Sequence, residues 1–171
     1  MRYLKKYKTP DNFSDMFMES DGEYLTGLWF VGSKDSLKRS YEHIEKSLPV
    51  FDITKKWLDI YFSGKEPNFI PIYKINNLSS FRKMVNDIMN RIPYGKLVTY
   101  NDIAKEIASI RGIKKMSAQA VGGAFGANEI CLIIPCHRII GKNNKLTGYG
   151  GGIENKENLL KLESAKYKWY F

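Results

Sequence analysis

Residues 130–141 read ICLIIPCHRIIG, an apolar run driven into Pro135 and followed at once by Cys136, His137 and Arg138. Bounded by Pro and Gly, a run of this length reads as a short buried strand. Proline has no N–H to give to a ladder, so it sits where a strand stops. The chain must therefore build a core around this segment and deliver a thiol, an imidazole and a guanidinium to its mouth. Chemistry is expected there.

The chain has 171 residues, 43% of them hydrophobic, enough for one domain or two small ones. It opens MRYLKKYKTP, with no apolar leader, and no stretch approaches membrane-spanning length. Cys131 and Cys136 are the only cysteines. On an extended segment their Cα atoms would lie roughly 16 Å apart, beyond disulfide reach. Two Cys and two His leave no zinc spacing, so neither metal nor cofactor is expected. Free thiols point to a reduced, cytoplasmic setting. Residues 1–77 carry a net charge of +1 and residues 78–171 a net of +8. A basic half beside a neutral one suits contact with a polyanion, or belongs to a merely soluble basic protein.

The first half reads as a small α+β unit, 1–77 with its linker. Lys5–Thr9, Phe13–Glu19 and Tyr24–Val31 fit strands, with Asp21-Gly22 as a turn. In Asp35–Leu48, Leu37, Tyr41, Ile44 and Leu48 fall at helical spacing. Asp52–Phe62 is a clearer helix, with Trp57, Leu58 and Tyr61 on one face and Gly64 to end it. No catalytic constellation stands out here. His43, between Glu42 and Glu45, reads as a solvated surface histidine. Pro67–Asn77 is a linker.

The second half, 78–171, reads as mostly helical. Ser79 or Ser80 caps a helix whose apolar face is Phe81, Met84, Val85, Ile88, Met89 and Ile92, and Pro93-Tyr94-Gly95 stops it. Thr99 to Asp102 resembles a capping box opening a helix with Ile103, Ala104 and Ile107 inside. After a basic turn (Arg111, Gly112, Lys114, Lys115), Ser117 caps SAQAVGGAFGANE, whose Ala118, Ala120, Gly122 and Gly123 leave it nearly bald. Each interior glycine costs about 1 kcal/mol against alanine, so close approach by another backbone is expected. Two helices joined by such a turn fit a helix-turn-helix on DNA; close packing within the domain is the alternative. Residues 141–152 hold five glycines, suited to a loop bending near a ligand, without the spacing of a P-loop. Glu154–Glu163 closes the half as a helix, and the tail SAKYKWYF is basic and aromatic.

A thiolate is the reactive form of cysteine, and a neighbouring His–acid pair activates it. Cys136 and His137 are adjacent, Arg138 adds charge, and Glu163, an acid ending an apolar face, is the candidate third member. Taken bare, the motif supports hydrolase or transferase chemistry equally.

The motif is not bare. AVGGA, an Asn eight residues before the Cys, IPCHR, LTGY–GG and a K–LL–LE helix together resemble the O6-alkylguanine-DNA alkyltransferases, the methylated-DNA–protein-cysteine methyltransferases, from about Phe81 to Glu163. The resemblance implies a ribonuclease H-like α+β N-terminal domain, then a helix-turn-helix domain with a short active-site strand. Cys136 matches the acceptor thiol that takes the alkyl group from guanine O6 as a stable thioether. His137 matches the base acting through a water, Glu163 the acid orienting it, and Tyr100 the tyrosine that helps neutralise the departing guanine. Asn128 matches the residue tying the helix-turn-helix to the active-site turn, Arg138 completes PCHR, and Tyr149 matches a pocket wall. Ala118, Gln119, Ala120, Gly122 and Gly123 match the recognition face that lies in the minor groove. The implied partner is double-stranded DNA with an O6-alkylguanine flipped from the stack, met by a monomer.

Three departures stand out. Gln119 replaces the arginine with which many members fill the gap left by the flipped base. The turn around Ser109–Lys115 is longer than in compact members, and Cys131 occupies a variable pocket-edge position. Two other readings compete: a sensor of alkylated bases or helix-turn-helix regulator that transfers nothing, and a cysteine hydrolase, which would need an oxyanion hole and turnover. The sensors of this kind replace the acceptor cysteine, which is present here.

Overall fold

A computed structural model describes all residues except 40, 166 and 169–171; most of the aromatic tail lies outside the described residues. Strands β1 (Tyr3–Tyr7), β2 (Met16–Ser20), β3 (Leu25–Phe30) and β4 (Ile44–Glu45) form one sheet in the order β3-β2-β1-β4. The first three pair antiparallel, as their turn signals predict, but β4 joins β1 in parallel, so the sheet is mixed. Helix α1 (Pro49–Phe62) starts with Pro49 in its first turn, where a missing N–H costs nothing. It lays Phe51, Trp57, Leu58 and Tyr61 on the core.

The helix expected over 35–48 does not form; the described residues there hold a short 3₁₀ turn (Ser36–Lys38) and β4. The reason is Glu19, whose side chain is fully buried in β2. A buried carboxylate must be paired. Arg39 Nη1 donates to Oε1 at 3.0 Å, Tyr41 OH to Oε2 at 2.7 Å, and His43 Nε2 lies 2.9 Å from Oε2. Residues 39, 41 and 43 all reach this one carboxylate, which a helix, turning about 100° per residue, would not allow. His43 is therefore not the solvated histidine its neighbours suggest: its side chain is 12% exposed and bound to Glu19.

The segment 67–77 is tied to the sheet edge by Leu25 N to Ile72 O (3.0 Å) and Lys74 N to Leu25 O (2.9 Å). Beyond it come α2 (Ser80–Met89), β5 (Lys96–Thr99), α3 (Tyr100–Arg111), α4 (Ala118–Phe125), β6 (Ile139–Ile140), α5 (Ile153–Leu162) and β7 (Tyr167–Lys168). Ser79 caps α2, Ser117 caps α4, and Thr99 with Asp102 makes the expected reciprocal capping box on α3. Strands β6, β5 and β7 form a small parallel sheet.

The strand expected at Ile130–Ile134 is instead a buried series of turns. Leu132 adopts φ +68°, Ile134 N bonds Ile130 O (3.1 Å), and Cys136 N bonds Ile134 O (2.8 Å). β3 offers the run a single bridge, at Leu28–Ile130, so its remaining backbone groups pair locally. The two-residue strand β6 follows the Cys136–Arg138 turn rather than preceding it. Cys131 and Cys136 are consequently not held apart by extended chain; both are free and buried. One continuous apolar cluster runs from Met16, Phe30 and Phe51 to Val85, Val121, Ile134 and Leu159.

Glu19→Ala leaves Arg39 buried without its carboxylate and is expected to destabilise the fold by about 3–5 kcal/mol, read by urea unfolding at pH 7. Burial alone would raise the Glu19 pKa, but hydrogen bonds from His43 and Tyr41 and the Arg39 charge hold it below the ordinary 4.5. The gap between wild type and variant should be full above pH 4.5 and close as pH falls through the depressed value.

Candidate active site

Cys136, His137 and Arg138 form one 3₁₀ turn between the buried run and β6, packed against α5 and β5. The Cys136 sulfur accepts from Asn128 Nδ2 at 3.1 Å, and the same amide group donates to Ile134 O at 3.1 Å. Asn128 Oδ1 in turn accepts from Ile130 N at 3.0 Å. One amide side chain just beyond α4 thus fixes both the thiol and the turn that carries it. Hydrogen bonding from the Cys131 thiol, opposed by burial and supported by Asn128, lowers the Cys136 pKa below its ordinary value. That favours the nucleophilic thiolate.

His137 is fully buried and its Nε2 lies 2.6 Å from Glu163 Oε1. Arg138 grips the same carboxylate through Nε to Oε2 (2.9 Å) and Nη2 to Oε1 (3.0 Å), and Gly95 N adds a bond to Oε2 at 3.1 Å. Burial alone would raise Glu163; His137 and Arg138 outweigh it and hold the carboxyl far below the usual range. Burial pushes the His137 pKa down against the pull of Glu163. With a carboxylate 2.6 Å away that Arg138 also balances, Nε2 is the ring nitrogen of His137 placed to donate. Its Nδ1 is buried and has no hydrogen-bond partner among the described residues. A lone pair there is what a general base requires.

Tyr149 is buried beside the thiol, and Tyr100 OH donates to Thr147 O at 3.2 Å. Both line a closed pocket of about 10 Å³ at Cys136, together with Asp35, Phe125 and Asn128. Tyr100 and Gly148 also line a far larger groove of about 960 Å³, which runs past Ala118, Gln119 and Gly122 to Lys105 and Lys142. Gly122 and Gly123 do not pack against the protein: a Cβ on either would meet nothing within 4 Å. The close packing offered as one reason for these glycines is absent, and the bald face of α4 is open. Gln119 and Ala120 are exposed on it.

Two side chains in the centre carry no site role in the sequence reading, Tyr61 being placed only on a helix face and Lys156 only in the K–LL–LE pattern. Lys156 is fully buried, with Nζ donating to Ile139 O and, at 3.2 Å, to Thr147 O. Burial pushes its pKa down to about 8. It shares one helical face with Leu159, Leu160 and Glu163, a spacing that could have flagged it. Tyr61 reaches in from α1, its hydroxyl 2.7 Å from Glu163 Oε1. Its polar tip on an otherwise apolar stripe was the available signal.

Residues 80–165 match the family described as 6-O-methylguanine DNA methyltransferase, DNA binding domain. The chain is 35% identical over 165 residues to the methylated-DNA–protein-cysteine methyltransferase of Haemophilus influenzae, spanning 96% of this chain and 88% of that one. The Methanosarcina acetivorans protein of the same name is 35% identical over 163 residues, covering 95% and 99%. Among solved structures, Mycobacterium tuberculosis O6-methylguanine methyltransferase superposes with a TM-score of 0.76 at 32% identity, covering 96% and 94%. The M. tuberculosis protein in complex with DNA gives 0.78 at 30% identity, covering 95% and 93%. The chain belongs to the methylated-DNA–protein-cysteine methyltransferase family.

Proposed function

We propose that this protein repairs alkylated DNA by one irreversible transfer from guanine O6 to Cys136. The observation that carries the reading is a thiol held by Asn128, next in the chain to a buried histidine whose Nε2 lies 2.6 Å from the Glu163 carboxylate. The thiol proton passes to His137 Nδ1, directly or through a water, while Glu163 stabilises the imidazolium that forms. The sulfur attacks the alkyl carbon, the carbon–O6 bond breaks, and its electron pair stays on guanine. Tyr100 is the donor for the departing base. Burial and the nearby Cys136 raise its pKa, so it keeps its proton until then. The thioether has no leaving group, and the protein turns over once. Thymine O4 offers the same alkyl–oxygen bond and is a second possible donor.

The DNA reading rests on the open face of α4 and the +8 charge of residues 78–171. Ala118, Ala120, Gly122 and Gly123 let a minor groove approach the helix, and Gln119 is placed to fill the space of an extruded base.

Intact and peptide mass after mixing with a duplex holding one O6-methylguanine should show one methyl group on the Cys136 peptide and one turnover per protein. A lesion-bound but unmodified protein would make it a sensor instead. Cys136→Ala should keep DNA binding and lose all transfer. In single-turnover kinetics the base must be neutral, and its folded-state pKa is lowered, so the acid limb should lie below pH 6.5. Glu163→Gln should slow transfer, and an unchanged rate would remove Glu163 from the mechanism.

The bald helix gives a test with two opposed readouts. Gly123→Ala should raise stability by up to about 1 kcal/mol, since the new methyl meets open space. Gly123→Leu should weaken duplex binding in a titration while the isolated protein stays folded. Unchanged affinity would move the DNA to another face.

A further inference from the structure

The N-terminal unit sends one side chain into the alkyl-transfer centre. Tyr61, on α1, is fully buried. It is gripped by parallel stacking on Trp57 (centroids 5.3 Å apart) and by an edge contact to Tyr94 (6.1 Å). Its ring meets the His137 imidazole edge-on at 6.2 Å. The hydroxyl donates to Glu163 Oε1 at 2.7 Å and lies 3.3 Å from His137 Nε2.

A phenol carries one proton, and the shorter contact places it on the Glu163 side. Toward Nε2 the Tyr61 oxygen therefore presents lone pairs. Nε2 faces two acceptors, Glu163 Oε1 at 2.6 Å and Tyr61 at 3.3 Å, whereas Nδ1 has no partner among the described residues. A proton on Nε2 makes both contacts favourable; a proton on Nδ1 would set the Nε2 lone pair against a carboxylate.

We propose that Tyr61 is a positioning residue for alkyl transfer, fixing the Nε2–H tautomer of His137 and the orientation of Glu163 so that Nδ1 is the base. This rests on the transferase reading above. It also gives the N-terminal unit a part in the chemistry: α1 sets the protonation pattern of a histidine that lies 76 residues further along the chain.

The hydroxyl also draws charge from Glu163, which weakens the carboxylate's hold on an imidazolium. Removing it should make His137 easier to protonate. Among the described residues, the other ionisable groups around the imidazole are Cys136 and Arg138 on its own turn, Lys156 and Glu163 from α5 and its end, and Tyr94 from the turn after α2. Arg138, Lys156, Glu163 and Tyr94 are retained in Tyr61→Phe, as are the ring contacts, and Cys136 is absent equally from both proteins compared by NMR.

The experiment is a ¹⁵N NMR titration of the histidine rings in Cys136→Ala, with and without Tyr61→Phe. It is paired with single-turnover transfer and DNA titration of the Tyr61→Phe protein carrying Cys136. His43 is the only other histidine and serves as the internal reference. In the Tyr61-containing protein His137 should show a protonated Nε2 and a bare Nδ1. Tyr61→Phe should move its midpoint upward by on the order of one pH unit. The acid limb of transfer should move with it, slowing transfer about fivefold at the original midpoint while DNA affinity stays constant. An unmoved midpoint and pH profile in a folded Tyr61→Phe protein, even with uniformly slower transfer, would reduce Tyr61 to packing. Should that variant not fold, a proton on Nδ1 in the Tyr61-containing protein would overturn the proposal by itself. Because the NMR readout needs no alkyl transfer, failure of the transferase reading would be seen separately.

Discussion

The carboxylate of Glu163 is the point on which this structure turns. It sits at the end of α5, buried, and accepts from Tyr61 of α1, Gly95 of the turn after α2, and both His137 and Arg138 of the thiol-bearing turn. A charge taken this far from water is tolerable only when it is fully hydrogen-bonded and balanced. The donors come from three separate pieces of backbone, and those pieces are thereby locked together. Gly95 shows how tight the arrangement is. Its φ is +74°, and a Cβ there would lie 3.0 Å from the Glu163 carbonyl oxygen. The Pro93-Tyr94-Gly95 stretch, legible in the sequence as a helix stop, also walls in the Glu163 carboxylate.

Asn128 performs the matching task for the thiol. Its amide joins the end of α4 to Ile130, Ile134 and Cys136 at once. The helix with the open face and the sulfur are therefore held in one register, and under the proposed transfer a base directed by α4 would meet the thiol at a fixed offset. The buried turns at 130–134 make this possible. A straight strand would carry Cys136 away from Asn128, whereas successive turns, with Leu132 in the left-handed region, fold the run back beneath it.

What could be read from the sequence follows from the range of the forces involved. α2 and the caps at Ser79, Thr99 and Ser117 are local features, set by spacing and by side chains within a few residues, and the structure forms them as expected. The stretch 35–48 and the run 130–134 are decided elsewhere. Glu19 demands partners from residues 39, 41 and 43, and β3 has room for one bridge to Ile130. Local periodicity carries no record of either constraint. The same holds for single side chains. Cys136, His137 and Glu163 stood out because their types and order are chemically unusual, whereas Tyr61 and Lys156 lie within ordinary helical stripes, and only the packing of distant elements brings them to the centre.

The two cavities bear on how such a centre would be reached. A purine cannot occupy about 10 Å³, so under the transferase reading the pocket at Cys136 has to open toward the 960 Å³ groove on α4. Tyr100 and Gly148 stand between the two, and the contacts that hold this boundary converge on one residue. Thr147 O accepts from both Tyr100 OH and Lys156 Nζ. Gly148, at φ +65° with the Tyr100 hydroxyl 3.1 Å from where a Cβ would stand, leaves no bulk in the way. Releasing the Tyr100 bond frees the hydroxyl for the incoming base, while Lys156 keeps its second anchor at Ile139 O beneath the thiol. Opening is then the local loss of one donor, the Tyr100 hydroxyl, from the carbonyls of Thr147 and Gly148, and the Glu163 assembly behind it need not move.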